Sequence, residues 1–199
     1  MTPIDFYFDF SSPYGYLASL RIDDIATKHG REAAWRPYLL GVVFKTTGQS
    51  PLTEQPLRGD YSRRDFERSA RLQKAQFTMP ESFPISTMAS ARAFYWLADS
   101  DPAQAKRLAQ ALYFRFFGEG QDISSPEAVI AVTETQGVDG GELAAALQDT
   151  AVKERLKTET QTAIGRGAFG SPFIFVDGEP FWGADRLDQV DAWLETGGW

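Results

Sequence analysis

The chain of 199 residues has no cysteine and one histidine. Without cysteine it can form no disulfide, no thiolate metal site and no Cys-x-x-Cys redox pair from its own atoms. The histidine, His29, sits in Lys28-His29-Gly30, the pattern of a helix C-terminus where a cation suits the dipole. It is read as a capping or surface residue, which argues against Ser-His or Cys-His nucleophile pairs and His-rich zinc sites. Positive charge is also scarce. Lys and Arg number 20 against 27 Asp and Glu, for a net charge of −7. Nucleic-acid and anionic-membrane partners need clustered positive charge and are not expected. No apolar run approaches the ~18–20 residues that span a bilayer, and the N-terminus lacks a basic region followed by an apolar core. A cytoplasmic protein is the expectation. A nucleophile stronger than a hydroxyl or carboxylate has to arrive with a ligand.

What is present starts with a strand that runs straight into a helix. Ile4, Phe6, Phe8 and Phe10 alternate with Asp5, Tyr7 and Asp9, the period of a strand with one face in a core. Tyr16, Leu17, Leu20, Ile25 and Ala26 then recur at helical spacing up to Gly30. Ser12 falls at the N-cap and Pro13 at the first helical position, a preferred pairing. Such a turn gathers unpaired N–H groups and the positive end of a helix dipole around one hydroxyl. Two readings stay open for Ser12: a cap alone, or a place to hold an anion.

Ala33 to Tyr38 reads as a second strand that completes a β-α-β unit. Residues 41 to 62, rich in Gly, Ser, Thr, Pro and Gln, read as a long ordered loop, commonly a functional feature. Helical patterns follow at Arg64 to Phe77, Ser86 to Leu97 and Pro102 to Phe117. Ser124-Ser125-Pro126-Glu127, with a capping-box pattern, opens a helix through Gln136, and shorter helices fit Gly141 to Leu147 and Ala151 to Ile164. Pro172 to Val176 is an apolar strand, Asp177-Gly178 a hairpin turn, Glu179 to Trp182 the return strand, and Asp185 the start of a last helix. The expected class is α/β, a thioredoxin-like core with an inserted all-helical subdomain. Residues 1–45 and 165–199 are assigned to the core, and 46–164 to the loop and insertion. With 43% apolar and 14% aromatic residues, the chain can bury a core of that size.

Phe8 to Tyr14, Gly41-Val42-Val43-Phe44-Lys45 with Thr47-Gly48, Gly170-Ser171-Pro172, Val176 to Glu179 and Phe181 to Leu187 together resemble 2-hydroxychromene-2-carboxylate isomerases. That family is close to the kappa-class glutathione transferases and belongs to the DsbA-like thioredoxin-fold group. The likeness covers nearly the whole chain. It implies glutathione as the cofactor, a small aromatic carboxylate as the substrate and a homodimer as the assembly. The implied reaction interconverts 2-hydroxychromene-2-carboxylate and trans-o-hydroxybenzylidenepyruvate. A kappa-type transferase or peroxidase, or a non-catalytic thioredoxin-fold protein, are the alternatives.

By this resemblance Ser12 lies beside the tripeptide's sulfur, where DsbA-like oxidoreductases carry cysteine. A hydrogen bond from its O–H to a thiolate, at ~1.5–3 kcal/mol, carries a thiol from ~8.5 towards neutrality. Ser12 thus keeps a cofactor thiolate ionised, and Ser11 is read as structural. Ser171-Pro172 matches the family's cis-proline step, which turns the Ser171 backbone to the cysteinyl part; a trans proline opening an edge strand is the other reading. Asp185 is either a helix cap or the partner of the γ-glutamyl ammonium. Relatives hold the tripeptide with Gly-Asn and a following Lys; here Gln49 and Arg58 stand in. Lys45 and Arg92 are candidates for the substrate carboxylate or plain surface cations. Tyr95, Trp96, Phe114 and Phe117 are core candidates, one or two of which line an aromatic pocket.

Overall fold

The computed structural model describes residues 2–199. Four strands, β1 (Ile4–Phe8), β2 (Ala33–Pro37), β3 (Phe173–Val176) and β4 (Glu179–Trp182), form one sheet in the order β2-β1-β3-β4. β1 runs parallel to β2 and antiparallel to β3, with Phe6 opposite both Trp35 and Ile174. The Asp177-Gly178 turn that joins β3 to β4 has positive φ at both residues, the requirement of a tight hairpin. The alternation in β1 holds: Ile4, Phe6 and Phe8 enter the main core. The opposite face is not open, however. Tyr7 packs there with Tyr38, Phe173 and Phe175 under Val43 and Ala163.

Among the described residues ten α-helices surround the sheet: α1 (Pro13–Ser19), α2 (Ile22–Lys28), α3 (Leu40–Thr47), α4 (Arg58–Leu72), α5 (Met88–Ala98), α6 (Pro102–Tyr113), α7 (Pro126–Thr135), α8 (Gly140–Ala146), α9 (Thr150–Gly165) and α10 (Leu187–Thr196). The first helical pattern is thus two helices. The Ser19 hydroxyl donates to the Tyr16 carbonyl and the Arg21 N–H bonds back only three residues, to Ala18, which tightens and ends the first. His29 does cap α2, and its ring also meets Asp191 at 2.6 Å beside Lys28.

The long loop is not a loop. Residues 40–47 form α3, Leu52–Glu54 a 3₁₀ turn, and α4 begins at Arg58. Its loop-like composition has specific uses: Gly48 ends α3 at φ +70°, and a Cβ on Gly59 would sit 2.7 Å from the Thr53 carbonyl oxygen, so only glycine lets turn and helix pack. The Pro102 to Phe117 pattern is α6 followed by a π-helical turn over Phe114–Gly118, which buries Phe116 and Phe117 together and leaves Phe114 exposed. Tyr95 is buried and Trp96 half-buried. At α7 the cap is Ser125, which accepts from the Ala128 N–H, while Ser124 turns to Asp122, so no Ser124–Glu127 capping box forms.

Candidate active site

The site is built where β1 ends. Asp9 opens an Asx turn, its Oδ1 accepting from the Ser11 N–H at 2.8 Å, while the Ser12 N–H returns to the Asp9 carbonyl at 2.9 Å. This turn sets Ser12 at the N-cap of α1, its Oγ accepting from the Gly15 N–H at 3.0 Å. Ser12 is 5% exposed, and its single proton goes to the carbonyl of Ser171 at 2.9 Å. The Ser171–Pro172 peptide is cis, and the Ser171 hydroxyl accepts from the Asp9 N–H at 3.0 Å. Strand end, helix start and proline step therefore close on one another through three short hydrogen bonds.

Two buried residues underlie this arrangement and escaped the sequence reading. Asp9, 5% exposed, takes three donors: Ser11 N–H, Leu40 N–H at 2.7 Å and the Thr87 hydroxyl at 2.9 Å. Its carboxylate thus meets the starts of α1, α3 and α5. Burial pushes its carboxyl up, against these hydrogen bonds, which favour the ion. The available signal was an Asp-x-Ser step inside an aromatic strand. Tyr113, hidden in the apolar stripe of α6, donates to the Asp9 carbonyl at 2.9 Å from beneath α1. Nothing in the local pattern distinguishes it from core.

Gly15 makes that approach possible. A Cβ there would lie 2.4 Å from the Tyr113 hydroxyl and 3.0 Å from the Ser171 hydroxyl. Gly15→Ala is expected to cost about 1–3 kcal/mol by overpacking, a loss of roughly 2–10 °C in melting temperature. An unchanged melting curve would mean that α1 does not sit on Tyr113 as described.

Outward from Ser12, Tyr14 shares a cleft of about 370 Å³ with Leu52, Leu57, Arg58, Tyr61 and Ser62. Leu57 closes its rim at φ +65° and is 92% exposed. The Tyr14 hydroxyl donates to Asp65 at 2.5 Å; burial first, then Asp65, push its ionisation far above the ordinary tyrosine range. The charge of Asp185 acts on the same hydroxyl, from the turn Ala184–Arg186 that packs against α1. Asp185 is not a cap: the turn is 3₁₀, reached through Gly183 at φ +114°, and α10 starts two residues later. Its side chain is 73% exposed, paired only with Arg186 at 3.2 Å.

Ser12 and Ser171 are thus hydrogen-bonded to each other, with Pro172 next in the chain, while Arg58 lines the cleft beside Tyr14 and the charge of Asp185 reaches the Tyr14 hydroxyl. Arg58 also reaches Gln55 at 3.1 Å. Gln49 follows the end of α3 and is exposed, as is Lys45 on α3 itself. Arg92, half-buried on α5, turns its guanidinium to the Leu147 carbonyl at 3.4 Å and leaves its Nε without a partner. Among the described residues no cluster of His, Asp and Glu has the makings of a metal site, and no helix is long and apolar enough to cross a membrane.

The DSBA-like thioredoxin domain model matches residues 3–195. A Sphingobium xenophagum protein named 2-hydroxychromene-2-carboxylate isomerase is 31% identical over 193 residues, which span 96% of this chain and 97% of that one. The glutathione S-transferase kappa 1 of Caenorhabditis elegans is 27% identical, over 96% of this chain and 90% of its own. A solved 2-hydroxychromene-2-carboxylate isomerase structure superposes with a TM-score of 0.85 at 29% identity, over 98% of this chain and 95% of that one.

Proposed function

The chain belongs to the DsbA-like thioredoxin family, and from that premise we propose that it is a glutathione-dependent isomerase of aromatic degradation. Its proposed substrates are 2-hydroxychromene-2-carboxylate and trans-o-hydroxybenzylidenepyruvate. The observation that carries the reading is a buried serine hydroxyl at the α1 N-terminus, facing the Ser171 carbonyl, in a chain without a thiol of its own. The names of the relatives support both halves: isomerases at 31% identity and kappa-class glutathione transferases at 27%.

A cleft of about 370 Å³ beside Tyr14, a size within the range that holds small molecules, supports the reading; Arg58 lines it, while Ser12, Ser171 and Asp185 lie outside its lining. When bound, glutathione supplies a thiolate that adds reversibly to a conjugated C=C bond, so that rotation occurs about a single bond and the tripeptide is released unchanged. Ser12 gives its O–H to the sulfur, and the α1 N-terminus adds positive potential. Asp185 would hold the γ-glutamyl ammonium, Gln49 and Arg58 the polar groups and carboxylate of the tripeptide, and the Ser171-Pro172 backbone its middle. Lys45 and Arg92 are the cations we assign to the substrate carboxylate; Arg92 makes one long hydrogen bond, to the Leu147 carbonyl at 3.4 Å, and its Nε has no partner. Tyr14 stays a neutral donor to Asp65 and gives the cleft an aromatic wall.

The test is turnover with glutathione counted before and after. A constant pool with product formed is expected. Stoichiometric loss of glutathione excludes the isomerase mechanism and moves the chain to the kappa-type transferase or peroxidase reading. No calorimetric binding at millimolar glutathione removes both. Asp185→Ala should raise the glutathione dissociation constant by ~10-fold or more, the scale of a charge-assisted hydrogen bond. Its melting temperature should not move, because the side chain caps nothing and its ion pair is exposed. Equal affinity in both proteins would remove Asp185 from the binding set.

A further inference from the structure

Ser12 has one proton, and the ligand-free fold has already used it. The hydroxyl donates to the Ser171 carbonyl at 2.9 Å and accepts from the Gly15 N–H at 3.0 Å. A hydroxyl offers only one donor, so Ser12 cannot donate to a sulfur and to Ser171 at once. Swinging the proton to a ligand would strip the Ser171 carbonyl of that donor inside a buried region, where an unmade hydrogen bond is unfavourable. The exchange becomes favourable when the ligand brings a replacement donor of its own.

We propose that Ser12 and the Ser171 carbonyl form a hand-over pair: docking of a ligand amide N–H onto the Ser171 carbonyl frees the Ser12 proton for the ligand's thiolate. The inference rests on the glutathione reading and makes it more specific. The site then ionises thiols that carry a secondary amide beside the sulfur-bearing carbon, and leaves other thiols largely protonated. No covalent bond is made or broken in the hand-over. One hydrogen bond moves from oxygen to sulfur, one from ligand N–H to the carbonyl replaces it, and the thiol proton leaves to solvent. The surroundings hold the carbonyl in place for this. The Ser171 hydroxyl is fixed by the Asp9 N–H, and the Asp9 carbonyl by Tyr113. The titratable groups that pack around the pair are Asp9 at the end of β1, Tyr113 on α6, Tyr38 after β2, whose hydroxyl donates to the Gly170 carbonyl, and, in the first turn of α1, Tyr14 with Asp65. Burial holds Tyr113 and Tyr14 neutral and raises the carboxyl of Asp9 from its ordinary value. These groups are common to every ligand compared, and so cancel from the comparison.

The experiment uses the whole protein and two ligands of the same shape: glutathione, and its depsipeptide analogue in which an ester oxygen replaces the cysteinyl N–H. Calorimetry gives affinity, and the ultraviolet absorbance of the thiolate, titrated at saturation, gives ionisation. The ester analogue should bind about tenfold more weakly or worse, and its bound thiol should titrate about one pH unit or more above that of glutathione. Equal affinity overturns the hand-over, and so does an ester whose bound thiol titrates together with glutathione. The glutathione reading fails in a different way. There glutathione itself does not bind, or binds with the ionisation of the free tripeptide, and the hand-over falls with it.

Discussion

With glutathione bound, Ser12→Ala should shift the thiol's titration upward by about one to two pH units, the size of one lost charge-assisted hydrogen bond. Turnover near neutral pH should then fall by roughly 10- to 100-fold and partly recover in alkaline solution, following the thiolate fraction. Affinity should weaken only modestly, since the contacts proposed for Asp185 and Arg58 remain. The substitution also has a structural side. It removes the acceptor of the Gly15 N–H and the donor to the Ser171 carbonyl, so a stability loss of ~1–2 kcal/mol is expected. Three mechanisms separate in one pair of titrations. A covalent serine nucleophile loses activity at every pH and traps an adduct on Ser12. A cap alone lowers the melting temperature with the titration unchanged. A shifted titration with alkaline recovery belongs to thiolate stabilisation, and its absence would take Ser12 out of the mechanism.

Asp9→Ala should give the largest loss of stability of any substitution near the site. It leaves the Ser11 N–H, the Leu40 N–H and the Thr87 hydroxyl without their acceptor. Buried donors without partners cost about 1–3 kcal/mol each, and relief from burying a charge offsets part of that. A net loss on the order of 3 kcal/mol, or roughly 6–12 °C, is expected. Amide exchange at Leu40 and Ser11 should speed up along with it, because the start of α3 and the turn before α1 lose their acceptor. Asp9→Asn, which keeps the shape but sets one N–H against another, should lose about half as much.

The pH dependence of that loss has a definite sign. Burial raises the folded-state ionisation of Asp9 above its unfolded value. The stability tied to its neutral form is therefore fully present below the ordinary carboxylate range, and is lost as pH rises through the folded value. The gap between wild type and Asp9→Ala should be wider near pH ~4 than near pH ~7. A gap that widens toward neutral pH would show that the three hydrogen bonds outweigh burial. Asp177 and Asp191 run the other way. Arg31 holds the carboxyl of Asp177 low, and Lys28 and His29 do so for Asp191, so their stabilisation is present above the ordinary range and lost as acid is added. Asp177 is exposed and Asp191 partly so, and screening keeps their share small.

Much of the architecture could be read locally. The alternation of Ile4, Phe6 and Phe8, the Ser12-Pro13 start, the Asp177-Gly178 hairpin and the Ser125-Pro126 start all depend on residues within a few positions of each other. Pattern misled wherever composition stood in for contact. Residues 41 to 62 look like a loop because α3 has no capping side chain of its own; the acceptor for Leu40 is Asp9, 31 residues earlier. Asp185 looks like a cap because acidic residues suit helix starts, yet Gly183 turns the chain into a 3₁₀ turn first and leaves its carboxylate in solvent.

By itself the sequence determined the family, the strand-to-helix step that presents Ser12, and the absence of any thiol to act in its place. The family rests on the resemblance of motifs in their order along the chain, and the other two on short-range periodicity, cap chemistry and composition, none of which needs the chain to be closed. Only the tertiary structure decided where the Ser12 proton goes, that Asp9 binds the starts of three helices, and that Arg92 faces Leu147. Ser12 and Ser171 are 159 residues apart, and Asp9 and Thr87 are 78 apart. A hydrogen bond across such a separation leaves no periodic trace, since one hydroxyl or carboxylate among many becomes special only when the sheet brings its partner within 3 Å of it.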